Sequence, residues 1–310
     1  MNLLISAPFA EEAKGILESK FPGLKIYAVA RMAEAVEFID SIDIMFTLGV
    51  SDDLMKRAEK LQWIQSMISG MDSILELPSL KKDIILTSAR GIHGPQMSEL
   101  ALLLMLAFVK RFPQNMRNQD QKIWGRLEVS LLFNKKVGLL GVGAIGKEIA
   151  RKCKGFGMTV YGIMSRKRDM EFVDHSFGPD GLTDVLKEVD FFINVVPSTP
   201  ATKKIIKEKE LSVMKPTSFF INIGRGDTVD EDALVNVLKA KKIAGAGLDV
   251  FCKEPLPKDH PLWNLDNVII MPHMGGKSDI YMEQVLPVFE ENLRRFLKGE
   301  RKDLINLIEV

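Results

Sequence analysis

From Lys135 to Met164 the chain reads KKVGLLGVGAIGKEIARKCKGFGMTVYGIM. An apolar run is followed by glycines at 141, 143 and 146, then by an amphipathic stretch, then by a second apolar run. Strand, glycine turn, helix and strand in that order make a βαβ crossover, whose two strands lie parallel in one sheet. A parallel sheet needs helices on both faces, so this segment commits its surroundings to a doubly wound α/β structure. The G-x-G-x-x-G spacing adds a ligand. Gly141 permits the tight turn, Gly143 lets a pyrophosphate approach the backbone, and Gly146 lets helix and strand pack closely. The helix start, with Ala144 and Ile145, offers N–H groups and positive potential to an anion. The segment predicts a dinucleotide-binding unit.

The rest of the chain keeps this rhythm. Before residue 90, the runs NLLISA, LKIYAVA, IDIMFTLG, LQWIQSM and DIILTSA alternate with the helical patterns AEEAKGILESKF, MAEAVEFIDS and SDDLMKRAEK. That alternation predicts a first parallel sheet without a glycine fingerprint. After Lys135, KVGLLG, TVYGIM, DFFINVV, SFFINIG, AGAGLDVF and NVIIMPH predict a second sheet of six strands. Between them lies GPQMSELALLLMLAFVKRF, apolar nearly all round and with Pro95 near its start; this predicts a buried helix. A chain of 310 residues has room for two domains of about 100–200 residues each.

Charge and cysteine content narrow the partners. With 42 basic and 41 acidic side chains, no global field draws the chain to nucleic acid or to a lipid surface. Cys153 and Cys252 are too few for a disulfide framework or a cysteine metal site, which points to a reducing compartment and no metal. No apolar run approaches the roughly 20 residues of a membrane span. The opening MNLLISAPFAEEAK lacks the basic lead of a signal peptide. The expectation is a cytoplasmic protein that binds neither nucleic acid nor membrane.

Units of this kind usually carry an acidic residue about 20 positions beyond the last glycine, for the adenosine ribose of NAD. Here that place reads IMSRKR. Met164 replaces the carboxylate, and Ser165, Arg166 and Lys167 follow it. A hydroxyl and a guanidinium suit a phosphate dianion, which a carboxylate would repel. The turn predicts NADP(H), with NAD(H) as the alternative. As one solvated basic turn it would carry no such meaning.

Four histidines occur, at 93, 175, 260 and 273. His273 stands at the end of the last expected strand, in IIMPHMGG. Arg225 follows a strand in INIGRGDTVD, and Glu254 follows another in GLDVFCKEPLP. In open α/β sheets ligands bind at the carboxyl ends of the strands. A cation, a carboxylate and an imidazole from three such ends make a candidate acid–base site. Asp249 is a candidate second carboxylate beside His273. His175 and His260 read as structural or solvated. His93, in GIHGP, is either a substrate contact or a helix-start residue.

At these residues the chain resembles the D-isomer-specific 2-hydroxyacid dehydrogenases. INIGRGDTVDEDAL, GAGLDVFCKEPLP with HPLW, and NVIIMPHMGG look like that family's signature blocks, in the same order as the glycine block and VVPSTPATKKII. SMISGMDSI and SARGIHGPQMSELAL fit more loosely. The resemblance implies two flavodoxin/Rossmann-like parallel-sheet domains with a cleft between them. Residues 1–92 would form a substrate (catalytic) domain, 93–280 the NAD(P)-binding domain, and 281–310 a helix and tail returning to the first. It gives Arg225 the orientation of a 2-oxo acid, His273 the proton transfer and Glu254 the support of that histidine.

The resemblance also implies cofactor contacts from Val196, Pro197, Ser198, Thr202, Ile223, Gly224, Gly275 and Gly276. Asp249 would serve the nicotinamide carboxamide, and Ser69, Gly70 and Met71 the substrate carboxylate. It implies a homodimer through the long apolar helix near Leu102 to Phe108 and neighbouring segments, with Trp124 a candidate for reaching the partner's cleft. Where many relatives carry Glu-His at the start of that helix, this chain has Glu99-Leu100. The absent ribose acid points away from NAD-dependent relatives such as phosphoglycerate dehydrogenase. It points toward NADP-preferring glyoxylate and hydroxypyruvate reductases. The alternatives are an NAD-dependent phosphoglycerate-dehydrogenase-like enzyme and a dinucleotide-sensing scaffold of the corepressor kind.

Overall fold

The computed structural model describes residues 1–308; Glu309 and Val310, the end of the expected tail, lie outside the described residues. The chain forms two compact units. One is Met1–Ile92 together with the described chain from Ser278 onward, and the other is His93–Lys277.

The first unit holds β1 (Asn2–Ser6), β2 (Lys25–Val29), β3 (Ile44–Thr47), β4 (Trp63–Ser66) and β5 (Ile85–Thr87). All pair in parallel, in the order β2-β1-β3-β4-β5. This is the flavodoxin-like order, which reverses between β1 and β3. Every residue of β3 and β4 is buried, as strands covered on both faces must be. The helix Tyr281–Leu297 covers one face. Its Phe289 stacks on Phe46 at 4.1 Å and on Trp63 at 5.4 Å. Asn292 Nδ2 reaches the buried Gln65 Oε1 at 2.8 Å, so apolar and polar contacts both tie this late segment to the first sheet. MAEAVEFIDS, expected as an α-helix, is instead two 3₁₀ turns, Met32–Glu37 and Ile39–Ser41. The crossover from Val29 to Ile44 is short, and the 3₁₀ winding rises further per residue than an α-helix does.

The second unit holds β6 (Lys136–Leu140), β7 (Thr159–Ile163), β8 (His175–Phe177), β9 (Phe191–Asn194), β10 (Phe219–Asn222), β11 (Gly245–Leu248) and β12 (Val268–Ile270). All are parallel, in the order β12-β11-β10-β9-β6-β7-β8. The expectation of six strands misses β8, a three-residue edge strand with no fully buried position, too short to show a period. The order reverses between β6 and β9, and the glycine loop follows β6 at that switch point.

The helix Gly94–Val109 packs against the helix Ala144–Gly155 and over β11, where Leu104 lies against Gly247. Leu104, Met105, Ala107 and Phe108 are buried within the unit, and only Leu103 of that stretch is largely exposed. The exposed apolar side chains follow instead, at Phe112, Trp124, Val129, Leu131 and Phe133. Among the described residues, no helix is long and apolar enough to cross a membrane.

Candidate functional site

The glycine loop is built by contact. Gly141 has φ +98°, and its N–H reaches Ile163 O at 3.0 Å, joining the ends of β6 and β7. A Cβ on Gly146 would lie 2.1 Å from Gly141 O, so the helix sits against the turn as only glycine allows. Gly143 differs: it is exposed, and nothing lies within 4 Å of where its Cβ would stand. It precedes Ala144 and Ile145 at the helix start, whose first N–H groups have no intrahelical acceptor. An open backbone approach to a helix N-terminus fits the pyrophosphate of a dinucleotide. Beyond β7, the strand next to β6 and its glycine loop, Met164 is buried while Ser165, Arg166 and Lys167 are exposed.

Arg225, Glu254 and His273 follow β10, β11 and β12, three neighbouring strands. Glu254 and His273 meet: Nδ1 of the imidazole lies 2.6 Å from Oε2 of the carboxylate. Glu254 Oε1 accepts the N–H of Phe251 at 3.0 Å, so both its oxygens are engaged. His273 has φ +49°, a left-handed conformation that costs a non-glycine residue roughly 1–2 kcal/mol. Its surroundings impose that conformation. The His273 N–H reaches Asp249 O at 2.9 Å, Met274 N–H reaches Asp249 Oδ1 at 2.9 Å, and Gly275 N–H reaches Asp249 Oδ2 at 3.0 Å. Asp249 is 1% exposed; burial raises its carboxyl pKa, and the two N–H bonds oppose the rise. The structure thus places Asp249 as the clamp of the loop that presents His273. It gives no direct Asp249–imidazole hydrogen bond.

Arg225 is held by a buried network absent from the sequence expectations. Asn194 Nδ2 donates to Asn222 Oδ1 at 3.1 Å and to Thr228 Oγ1 at 2.7 Å. Asn222 Nδ2 and Thr228 Oγ1 both donate to Arg225 O. Arg225 Nη1 donates to Gly224 O at 2.9 Å. The one signal for this network was the word FFIN, which occurs at both 191–194 and 219–222 and pairs in register between β9 and β10.

The remaining candidates fall around this edge of the sheet or outside it. Val196 and Pro197 follow β9, and Ile223 is buried after β10. Ser198 Oγ donates to Asp227 Oδ2 at 2.6 Å, tying the loop after β9 to the turn after β10, and Thr202 Oγ1 donates to Pro197 O at 2.6 Å within its own loop. Gly276 lies against His93: a Cβ there would be 3.4 Å from the imidazole. His93 is buried, and burial pushes its pKa down to about 4. His175 packs on Tyr161 at 4.6 Å. Trp124 is 94% exposed. Ser69, Gly70 and Met71 belong to the other unit, after β4, where Tyr281 Oη donates to Met67 O at 2.7 Å.

A parallel sheet with a glycine loop at its switch point, and an arginine and a Glu–His pair at neighbouring strand ends, defines a dinucleotide-binding α/β protein with acid–base groups beside the ligand edge. Residues 102–275 match the family model described as D-isomer specific 2-hydroxyacid dehydrogenase, NAD binding domain, and the chain belongs to this family. It is 31% identical to a D-3-phosphoglycerate dehydrogenase of Methanocaldococcus jannaschii over 99% of this chain, and spans 60% of that relative's length. It is 33% identical to a glyoxylate reductase of Pyrococcus horikoshii, over 87% of this chain and 83% of that one. Among solved structures it resembles an NADPH-dependent glyoxylate/hydroxypyruvate reductase from Sinorhizobium meliloti in complex with NADP and sulfate. That likeness has a TM-score of 0.85, 27% identity, and coverage of 99% of this chain and 98% of the other.

Proposed function

We propose that the protein is an NADPH-dependent reductase of small 2-oxo acids, of the glyoxylate or hydroxypyruvate kind, that yields the D-2-hydroxy acid. The observation that carries this reading is the Glu254–His273 pair at 2.6 Å, on the strand ends next to Arg225. Reduction of the 2-oxo group needs a proton for its oxygen while the bound cofactor supplies hydride to its carbon. Glu254 holds the Nδ1 side of His273, which leaves Nε2 to give that proton. Arg225 orients the substrate through its carboxylate and carbonyl. Asp249 serves the cofactor carboxamide through the lone pairs its two loop bonds leave over. Ser69, Gly70 and Met71 give backbone N–H groups to the substrate carboxylate. Ser165, Arg166 and Lys167 meet the 2′-phosphate, and the loops at Val196–Thr202, Ile223–Gly224 and Gly275–Gly276 line the cofactor. The protein acts in the cytoplasm as a homodimer, whose contact uses the exposed apolar residues between Phe112 and Phe133.

Steady-state oxidation of NADPH and NADH with glyoxylate, hydroxypyruvate and pyruvate tests this reading, in wild type and Arg166→Ala. The wild type is expected to favour NADPH. Arg166→Ala is expected to weaken NADPH binding about tenfold or more, the scale of a charged hydrogen bond, and NADH binding far less. Equal losses, or a wild-type preference for NADH, would favour the second reading: a phosphoglycerate-dehydrogenase-like enzyme using NAD. The Methanocaldococcus relative supports that alternative.

A further inference from the structure

We propose that Glu231, outside every site assigned above, is a positioning residue for the Glu254–His273 pair. This rests on the reading of that pair as the acid–base machinery. Glu231 is the first residue of the helix Glu231–Lys239. Its Oε2 accepts the N–H of Cys252 at 3.0 Å, and its Oε1 lies 3.4 Å from Nε2 of His260. Cys252 and His260 stand on either side of Glu254 in the segment between β11 and the 3₁₀ turn Pro261–Asn264, which has no helix or strand of its own. One carboxylate therefore reaches both limbs of the loop that carries Glu254, by a hydrogen bond at Cys252 and by a close side-chain approach at His260.

The grip is directional. Leu262 N–H donates to Nδ1 of His260 at 3.4 Å, which places the ring proton on Nε2, the nitrogen facing Glu231. His260 N–H and Trp263 Nε1 both donate to Pro257 O, so the far limb is folded onto itself before it meets Glu231. The side chains of Glu231 and His260 are only 18% and 17% exposed, so water intrudes little on their approach. Glu254 spends its own oxygens on Phe251 N–H and His273. Its loop is thus held from outside, by Glu231 beside the packing of Phe251 on Gly226. A carboxylate that must meet an imidazole at 2.6 Å tolerates little drift of its backbone.

The test compares wild type, Glu231→Ala, Glu231→Gln and His260→Ala. Its readouts are steady-state kinetics, cofactor binding, thermal unfolding, and the NMR signal of the His273 Nδ1 proton, assigned by its loss in His273→Asn. Loss of an outer support is expected to lower kcat of Glu231→Ala by about tenfold to a hundredfold, with substrate KM and cofactor Kd within about twofold. The His273 proton signal is expected to broaden by exchange. Glu231→Gln, whose amide oxygen still accepts from Cys252, is expected to restore both readouts most of the way. His260→Ala releases one limb only and is expected to fall between, which keeps the test open if Glu231→Ala does not fold. Unchanged kcat and an unchanged proton signal, with only the melting temperature lowered, would overturn the proposal. So would a glutamine variant no better than alanine. If the wild type reduces no 2-oxo acid, the reductase reading fails first. The proton signal then decides alone: broadening in Glu231→Ala upholds the positioning role, and an unchanged signal ends it.

Discussion

Gly226 and Phe251 meet backbone to backbone: a Cβ on the glycine would lie 2.0 Å from the Phe251 carbonyl carbon and 2.1 Å from its oxygen. No side chain fits there. The contact joins the turn that begins at Arg225 to the loop that ends at Glu254, so the arginine and the carboxylate are placed by one packing event. Gly226→Ala must push the two loops apart. It is expected to cost roughly 1–3 kcal/mol of stability, as overpacking does, and to lower kcat and raise substrate KM together. Denaturant unfolding beside steady-state kinetics checks this; wild-type kcat/KM in a folded alanine variant would contradict it.

The Glu254–His273 pair separates an enzyme from a dinucleotide-sensing scaffold. His273→Asn removes the proposed proton donor and is expected to lower kcat by about 10²–10⁴-fold. Glu254→Gln keeps a hydrogen-bond acceptor but loses the charge, and about a tenfold to hundredfold loss is expected, the scale of one charge-assisted bond. The double variant is expected to be little worse than His273→Asn alone, because residues acting as a unit are not additive. Cofactor affinity, measured by fluorescence titration, is expected to stay within about twofold in all of them, since neither group carries cofactor binding energy. A His273→Asn variant with undiminished turnover would move the reading to the scaffold.

The glycine loop gives a paired test, because two of its glycines are constrained by different things. Gly146 faces Gly141 O at 2.1 Å from its would-be Cβ, a constraint within the protein. Gly146→Ala is expected to destabilise the fold by roughly 1–3 kcal/mol. Gly143 has open space around its would-be Cβ and an ordinary negative φ of −84°. Gly143→Ala is expected to change stability by no more than about 0.5 kcal/mol, as surface changes do. Its dinucleotide affinity is nonetheless expected to fall at least about tenfold, since the methyl group occupies the pyrophosphate's approach. Thermal unfolding with and without cofactor reads both effects. A Gly143→Ala variant that binds as tightly as wild type would remove the pyrophosphate from this loop.

What the sequence carried depends on how local each signal is. The strands β1 to β7 and β9 to β12 were legible because buried parallel strands are continuous apolar runs bounded by turns. β8 was not, because His175–Phe177 owes its pairing to β7 and not to its own pattern. The ends of the strands bearing Arg225, Glu254 and His273 were legible. The means of holding them were not: the Asp249 clamp closes over 25 and 26 positions, and the Asn194–Thr228 bond over 34. Such partners are set by strand order, which periodicity does not encode. The long apolar helix shows the same limit. An all-round apolar helix announces burial but not what buries it, and here much of the covering comes from the helix Ala144–Gly155 and the sheet of its own unit.

His93 predicts an acid limit to stability. It stands just before the helix Gly94–Val109, 7% exposed, and burial lowers its pKa from 6.5 to about 4. Between those values the unfolded chain binds a proton that the folded chain does not, so stability rises with pH across that window. The contribution is fully present above pH 6.5 and is lost as pH falls through about 4. Its size is at most about 3–4 kcal/mol, from 1.36 kcal/mol per pKa unit. Other acid-sensitive groups, such as Asp174 with its Lys154 partner, remain in both proteins when wild type is compared with His93→Gln, and cancel in the difference. Urea unfolding at several pH values between about 4 and 7.5 is therefore expected to show wild type losing stability relative to the variant as pH falls. Parallel curves would mean that His93 takes up its proton as easily folded as unfolded.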